Sequence, residues 1–291
     1  MFVKHIEDHS AHYWKSYRVM KDNFYQCPPL FDIGNDAFQR KVVNVLPKKD
    51  LLKILGIGSG RGELDCVNIR RMLGHVSRIN NTVVEPSVEA IEAYKSLICG
   101  DLSDRVNTSW YNETFQQYQK RRDGNVATDK FHFISAVHSL YYADNDGRSI
   151  DYLIDLLEKD GVLFIIIQND HSGFIRLFDK LAEYFGSHPV NVTEGIVTSK
   201  IVKCLDSDDS LVYDVMKQRH QINISSCFEE SVEGSLILDF LTQMVDFKST
   251  VTKDFLQSVL DYLKTPDCSE ILSDGKIIFR EDWDAFIIRK K

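Results

Sequence analysis

The sequence predicts a doubly wound, mostly parallel α/β sheet, and three observations carry the prediction. From Leu51 onward, apolar β-branched runs alternate with helix-length stretches, the pattern of a parallel sheet covered by helices on both faces. The first run, Lys53-Ile-Leu-Gly-Ile-Gly-Ser-Gly-Arg-Gly-Glu-Leu64, breaks into four glycines at alternate positions before a helix resumes. The second, Asn81-Thr-Val-Val-Glu-Pro-Ser87, ends in a carboxylate. A βαβ unit holds the ribose hydroxyls of an adenosine with such an acid, roughly 20 residues past its glycines.

The elements follow in order. His5 to Met20 reads as a helix, with Tyr13, Tyr17 and Met20 on one face. Cys27-Pro-Pro-Leu30 forces an extended turn, because the residue before proline is disfavoured in a helix. A second helix is expected from Asn35 to Leu46, stopped by Pro47. Strands are expected at 51–57, 80–85, about 105–110, 131–136 and 162–168. Between them lie a helix from Leu64 to Leu73 and one capped by Ser87 and opened by Glu89 and Ala90. Asp160-Gly161 marks a tight turn into Val162-Leu-Phe-Ile-Ile-Ile167, a run fit for a strand buried on both faces. From about His188 the alternation lapses. An edge strand is expected at Ser210 to Lys217, loops from Ile222 to Ser235, and helices at Leu236 to Phe247 and Phe255 to Leu263. Ala285 to Arg289 returns to the sheet as a final, antiparallel strand, which makes seven strands in all.

At 291 residues, 43% hydrophobic and 27% charged, the chain suits one large domain or one domain with an insertion. A net charge of −8 with scattered Lys and Arg gives no basic stripe for a phosphate backbone and argues against nucleic acid. The apolar runs fall far short of the ~20 residues of a bilayer span. Met1-Phe-Val-Lys-His-Ile-Glu-Asp8 does not read as a signal peptide, so a cytoplasmic protein without a membrane partner is expected. Six cysteines stand singly, with no Cys-x-x-Cys pair and no histidine at ligand spacing. They read as reduced, and no metal is expected. Asp206-Ser-Asp-Asp-Ser210 lacks the glycine and distal glutamate of a calcium loop. No heptad or apolar stripe argues for more than a monomer.

The glycine loop narrows the cofactor. A dinucleotide loop has its third glycine three residues after the second, but Arg61 follows Gly58 and Glu63 follows Gly60 at that spacing. A Gly-x-Gly-x-Gly loop with an acid at the second strand end, and no Lys-Ser/Thr pair, suits S-adenosyl-L-methionine better than NAD or ATP. A tight βα turn is the plainer alternative. Gly58, Glu85 and Val137 all fall at strand carboxyl ends, where such sheets bind ligands.

Several segments taken in order, Gly56 to Asp65, Val83-Val-Glu-Pro-Ser87, Ser139-Leu-Tyr-Tyr142, Asp274-Gly-Lys-Ile-Ile-Phe279 and Phe286-Ile-Ile288, resemble the vertebrate histamine N-methyltransferase family. The likeness runs over nearly the whole chain, and the pairing of Val-Val-Glu-Pro-Ser with Leu-Tyr-Tyr is its specific part. It implies a seven-stranded methyltransferase sheet with a smaller cap region over the acceptor site. The cap would comprise residues 1–47 and an insertion at 186–270 with the edge strand; residues 48–185 would form the cofactor-binding core and 271–291 the final strands. It implies cofactor contacts from Gly56, Gly58 and Gly60 in the loop, from Glu85 at the ribose and from Val137 beside the adenine. Ala90 and Phe115 stand where the family uses a glutamine and a serine, so two side-chain contacts to the cofactor are changed.

The acceptor pocket that the resemblance implies has aromatic walls: Tyr13, Tyr17, Tyr141, Tyr142, Phe174, Phe178 and Phe240. For each ring alone, core packing is the plainer reading; the adjacent pair Tyr141-Tyr142 departs from a core pattern, and an aromatic box suits a cationic amine. The polar groups depart from the family. Phe24-Tyr-Gln26 replaces a segment that carries a glutamate, His138 stands for a glutamine, and Glu281 or Asp282 stands for an asparagine. His138 is expected to bond the attacking group or take its proton, and Glu281 or Asp282 to pair with a distal ammonium; the alternatives are a core histidine and a solvated turn. The expected activity is N-methylation of a small amine, histamine or a related imidazole. A different amine, a histidine-containing dipeptide, or a non-catalytic cofactor-binding relative stay open.

Overall fold

The computed structural model describes residues 4–6, 9–26, 38–123, 129–143, 148–186 and 197–291. In chain order the elements are α1 (Ser10–Asp22), β1 (Phe24–Gln26), β2 (Leu51–Ile57), α2 (Glu63–Leu73), β3 (Arg78–Val84), α3 (Val88–Ile98), β4 (Val106–Tyr111), α4 (Phe115–Asp123), β5 (Phe131–Val137), α5 (Arg148–Asp155) and β6 (Leu157–Gln168). There follow α6 (Gly173–Phe185), α7 (Thr198–Asp206), β7 (Leu211–Gln218), β8 (Gln221–Asn223), α8 (Val232–Thr242), α9 (Lys253–Leu263), β9 (Ser269–Ile271), β10 (Ile277–Arg280) and β11 (Trp283–Lys290). The chain divides into two compact units, one of residues 28–167, 198–216 and 285–291, the other of residues 1–27, 168–197 and 217–284. These boundaries differ from the expected segments: Gln168–Val197 groups with the helices and short strands, Thr198–Met216 with the large sheet.

The first unit is built on a seven-stranded sheet in the order β4-β3-β2-β5-β6-β11-β7. β4, β3, β2, β5 and β6 are parallel throughout. The apolar runs explain why: β5 is buried from Phe131 to Ala136 and β6 from Gly161 to Gln168, as central strands covered on both faces must be. β11 runs against its neighbours, since near its end the Lys290 ammonium reaches the Leu157 carbonyl at 2.9 Å and the Lys291 N–H the Ser210 carbonyl at 2.7 Å. Strand order reverses between β2 and β5, where Gly56 lies beside Ser135 and Ile57 beside Ala136. The loops after these two strands therefore flank the switch point at which such sheets bind ligands.

The second unit joins α1, α6, α8 and α9 to a four-stranded antiparallel sheet in the order β1-β8-β10-β9. α6 buries Phe174, Leu177, Phe178 and Leu181 along one face, a spacing of three and four that defines an apolar stripe. Side-chain caps start the helices: Ser172 accepts from the Phe174 N–H, Ser231 from Gly234 and Thr252 from Phe255.

Several expected bounds are corrected. No turn forms at Asp160-Gly161; β6 runs through it, with a register shift opposite Phe131 and Phe133. Gly161 allows this, because a Cβ there would lie 2.9 Å from Leu157 and the Phe131 carbonyl. The helix expected from Asn35 to Leu46 is, where described, a helical turn at Gln39–Lys41 and a 3-10 turn at Val43–Val45. The Cys27-Pro-Pro-Leu30 turn lies outside the described residues. The segment read as loops contains β8 and the first turn of α8, and α8 stops at Thr242 because Gln243 is left-handed, with φ +58°.

Candidate functional site

The glycine loop and Glu85 form one bonded unit. Glu85 follows β3 and is 6% exposed. Its Oε2 accepts the Gly60 N–H at 2.8 Å and its Oε1 the Ser87 N–H at 2.9 Å. Burial pushes its pKa up from the usual glutamate value, opposed by those two N–H bonds. Each oxygen retains a second lone pair, which leaves two acceptors suitably placed for a vicinal diol. Gly58 is left-handed at φ +61°, donates its N–H to the Val84 carbonyl at 2.8 Å, and leaves no room for a Cβ against the Ser139 side chain. Gly62, at φ +76°, packs its Cα on the Tyr94 ring.

A polar cluster that the sequence reading missed supports the loop from below. The Tyr94 hydroxyl donates to Asp65 Oδ2 at 3.3 Å and accepts from Asn81 Nδ2 at 3.3 Å, and the Ser135 hydroxyl lies 3.4 Å from Asp65 Oδ1. Desolvation pushes the Asp65 pKa up against these bonds. The signal was present, an acid in the first turn of the helix after the glycines, but only the pairing of β2 with β3 and β5 brings the strands that carry Asn81 and Ser135 alongside it.

At the end of β5, Val137 is half-buried beside Ile166. His138 adopts φ +49°, an uncommon conformation for a residue with a Cβ. Its N–H donates to the Ile166 carbonyl at 2.9 Å, and its Nδ1 lies 2.9 Å from the Tyr141 hydroxyl. Tyr141 and Tyr142 sit in a 3-10 turn with their rings edge to face at 6.5 Å, and the Gln116 amide bonds the Tyr142 carbonyl. The Ser139 hydroxyl is buried without a partner among the described residues. Ala90 is buried in the first turn of α3 with its N–H on Ser87 Oγ, and Phe115 is buried edge-on to Tyr152. Neither carries a polar side chain. A loop with glycine at every second position, a carboxylate with two spare acceptors and a hydroxyl without a partner among the described residues, all at the switch point, fit an adenosyl cofactor.

The expected acceptor residues fall into two sets. Tyr141, Tyr142 and His138 belong to the sheet unit. In the other unit Tyr13 and Tyr17 stack parallel at 6.3 Å, Phe240 lies 5.8 and 5.7 Å from them, and Phe174 connects Phe240 at 6.2 Å to Phe178 at 5.8 Å. Gln26 closes β1, and its side chain lies outside the described residues. Glu281 does not sit in a solvated turn: it is 9% exposed and bonded to His220 at 2.6 Å and to the Gln168 amide at 3.3 Å. Asp282 is half-buried, and burial pushes its pKa up. Beside the aromatic rings, His12 Nε2 meets Asp239 at 2.8 Å, and Asp239 also accepts the N–H groups of Asp246 and Phe247 at 3.0 and 2.8 Å. His220, His12 and Asp239 were not singled out from the sequence. Among the described residues no group of His, Cys, Asp and Glu fits a metal ion, and no helix is long and apolar enough to cross a membrane.

Residues 31–196 match the family model described as a methyltransferase domain. Over 288 residues the chain is 27% identical to the histamine N-methyltransferase of Danio rerio, covering 97% of each. It is 29% identical over 300 residues to histamine N-methyltransferase B of Xenopus laevis, covering 97% of this chain and 96% of that protein. Among solved structures, the YcgJ protein of Bacillus subtilis superposes with a TM-score of 0.53 at 13% identity, over 86% of this chain and 96% of that one. That last likeness speaks for the fold.

Proposed function

Because the chain belongs to the family of methyltransferase domains, we propose that this methyltransferase acts on a nitrogen of a small amine, histamine or a related imidazole. One observation carries the reading: its similarity to vertebrate histamine N-methyltransferases extends over 97% of both chains, so it takes in the acceptor residues as well as the cofactor loop. S-adenosyl-L-methionine, the cofactor, supplies an electrophilic methyl on a sulfonium.

The chain's own residues then have little chemistry to perform beyond placement. Gly56, Gly58 and Gly60 leave the backbone open to the ligand, Glu85 holds the ribose hydroxyls, and Val137 lies against the adenine. The acceptor nitrogen must be held about 3–3.5 Å from the methyl carbon with water excluded. Tyr13, Tyr17, Phe174, Phe178, Phe240, Tyr141 and Tyr142 give it aromatic surroundings suited to a cation. Residues 1–47 and 186–270 add acceptor contacts to those of His138, Tyr141, Tyr142, Phe174 and Phe178, and 48–185 also supplies the cofactor contacts. His138, oriented through Nδ1 by the Tyr141 hydroxyl, contacts the attacking group or takes its proton. An imidazole nitrogen, with a pKa of about 6.5, is largely neutral at pH 7 and needs no prior deprotonation.

A second reading, methylation of a different amine, is favoured by Glu281, whose oxygens are engaged by His220 and Gln168. The experiment is a transfer assay with labelled S-adenosyl-L-methionine against histamine, histidine, carnosine and a set of aryl and alkyl amines. Saturable methylation of histamine is expected. Methylation confined to another amine selects the second reading, and labelling of none removes both.

A further inference from the structure

Buried in the helical unit is a histidine whose second nitrogen has no hydrogen-bond partner among the described residues. His220 is 2% exposed and lies between β7 and β8. Its Nδ1 is 2.6 Å from Glu281 Oε2, while its Nε2 is buried without a hydrogen-bond partner. A carboxylate accepts, so Nδ1 carries a proton toward Glu281, and in the neutral imidazole Nε2 then presents a bare lone pair. Glu281 is itself held: Gln168 Nε2 donates to its other oxygen at 3.3 Å, and the Ser172 hydroxyl donates to Gln168 Oε1 at 2.6 Å. That chain ends at the cap of α6, the helix that carries Phe174 and Phe178. The Phe24 ring packs edge-on against the imidazole at 4.3 Å, and Trp283 lies 6.4 Å away.

An acceptor lone pair left dry in a protein interior costs free energy. His12, the other histidine of this unit bonded to a carboxylate, does not repeat the arrangement, because it remains partly exposed. We propose that His220, oriented by Glu281, is the group that binds the cationic, non-reacting end of the amine acceptor. The ammonium donates an N–H to Nε2, its charge is balanced by the Glu281 carboxylate one ring away, and Phe24 and Trp283 supply apolar walls. The assignment rests on the amine reading above. It places the ammonium on the imidazole that Glu281 holds, whose Nε2 is buried without a partner among the described residues.

The test is calorimetry on the full chain loaded with S-adenosylhomocysteine, using histamine and 4-methylimidazole, which lacks the amine arm. His220→Asn keeps a donor where Nδ1 stood, so Glu281 remains bonded, and deletes Nε2. Histamine affinity is expected to fall about 10- to 100-fold while 4-methylimidazole changes less than about twofold, with KM raised and kcat kept. In the unmutated protein, the His220 Nε2 resonance is expected to shift on adding histamine and not on adding 4-methylimidazole, a readout that survives a variant that fails to fold. An unchanged histamine affinity, or an equal loss for both ligands, overturns the assignment and leaves the amine reading standing. If the unmutated protein binds neither histamine nor any amine of the methylation panel, the amine reading fails and the assignment fails with it.

Discussion

Glu85→Gln tests the cofactor cradle most directly. The carboxylate has four lone-pair directions; the Gly60 and Ser87 N–H groups occupy two, at 2.8 and 2.9 Å, and two remain for the ribose. A glutamine is nearly the same shape but has one oxygen, so its NH₂ must face either the Gly60 or the Ser87 N–H, donor against donor. The variant therefore loses one backbone bond, leaves an N–H unpaired in a buried place, and replaces one of two charged hydroxyl contacts with a donor. Each of those losses costs roughly 1–3 kcal/mol. Part of the backbone cost falls on the free protein as well, so about 2–4 kcal/mol remains for binding, or roughly 30- to 1000-fold in Kd. Titration calorimetry with S-adenosylhomocysteine measures it, alongside thermal unfolding of the free protein. A loss of less than about threefold with an unchanged Tm refutes the cradle.

The remaining predictions concern the loop, the acid limb and the helical unit. Gly58→Ala places a Cβ at φ +61° against the Ser139 side chain; a penalty of about 1–2 kcal/mol for the left-handed backbone adds to the collision. Cofactor affinity and Tm are both expected to fall, and Gly186→Ala, at φ +75° with open space around it, controls for the backbone penalty alone. Burial raises the folded pKa of Glu85 above its ordinary 4.5. The apo protein thus gains stability from this group below the unfolded value and loses it as pH rises through the folded one. Cofactor binding needs the ionised form and runs oppositely, so its acid limb is expected above the ordinary glutamate range and to vanish in Glu85→Gln; binding measured from pH 4 to 8 checks both. Asp239→Asn removes a buried carboxylate that accepts from His12, Asp246 and Phe247, and is expected to cost about 2–4 kcal/mol, read by urea unfolding.

The sheet and the cofactor cradle were legible because their signals are local. Strand runs, the glycine spacing and the acid at the strand end lie within a few residues of one another, and β2 falls at 51–57 as the sequence predicts. The four-stranded sheet was not legible. β1, β8 and β9 have three residues each, too few for a period-two pattern, and although β9 and β10 are neighbours in sequence, β1 and β8 join them only because distant segments converge. Asp160-Gly161 misled for a physical reason: the pair has turn propensity, yet in a long central strand the glycine serves as a bulge. The alternative of a solvated turn at Glu281 failed similarly, since its burial depends on His220 and Gln168, 61 and 113 residues away.

This difference in range bears on how an acceptor site changes while the cofactor site stays. The cradle is held by conditions that single residues must satisfy: Gly58 and Gly62 are left-handed in places where a Cβ would collide, and Glu85 closes the loop through two N–H bonds. Few substitutions meet those conditions. The helical unit, where the acceptor contact proposed above lies, is held by pairs, His12 with Asp239 and His220 with Glu281. A pair constrains complementarity and not identity, since a carboxylate that loses its histidine can be served by another donor, and a neutral pair can replace a charged one without moving the backbone. His138 belongs with the cradle by the same test. At φ +49° it takes a conformation a glycine would adopt more cheaply, and its N–H is tied to β6. On the amine reading, the residues that set the acceptor are thus to be sought among distant polar pairs, a criterion that selects His220 and Glu281 over the aromatic walls.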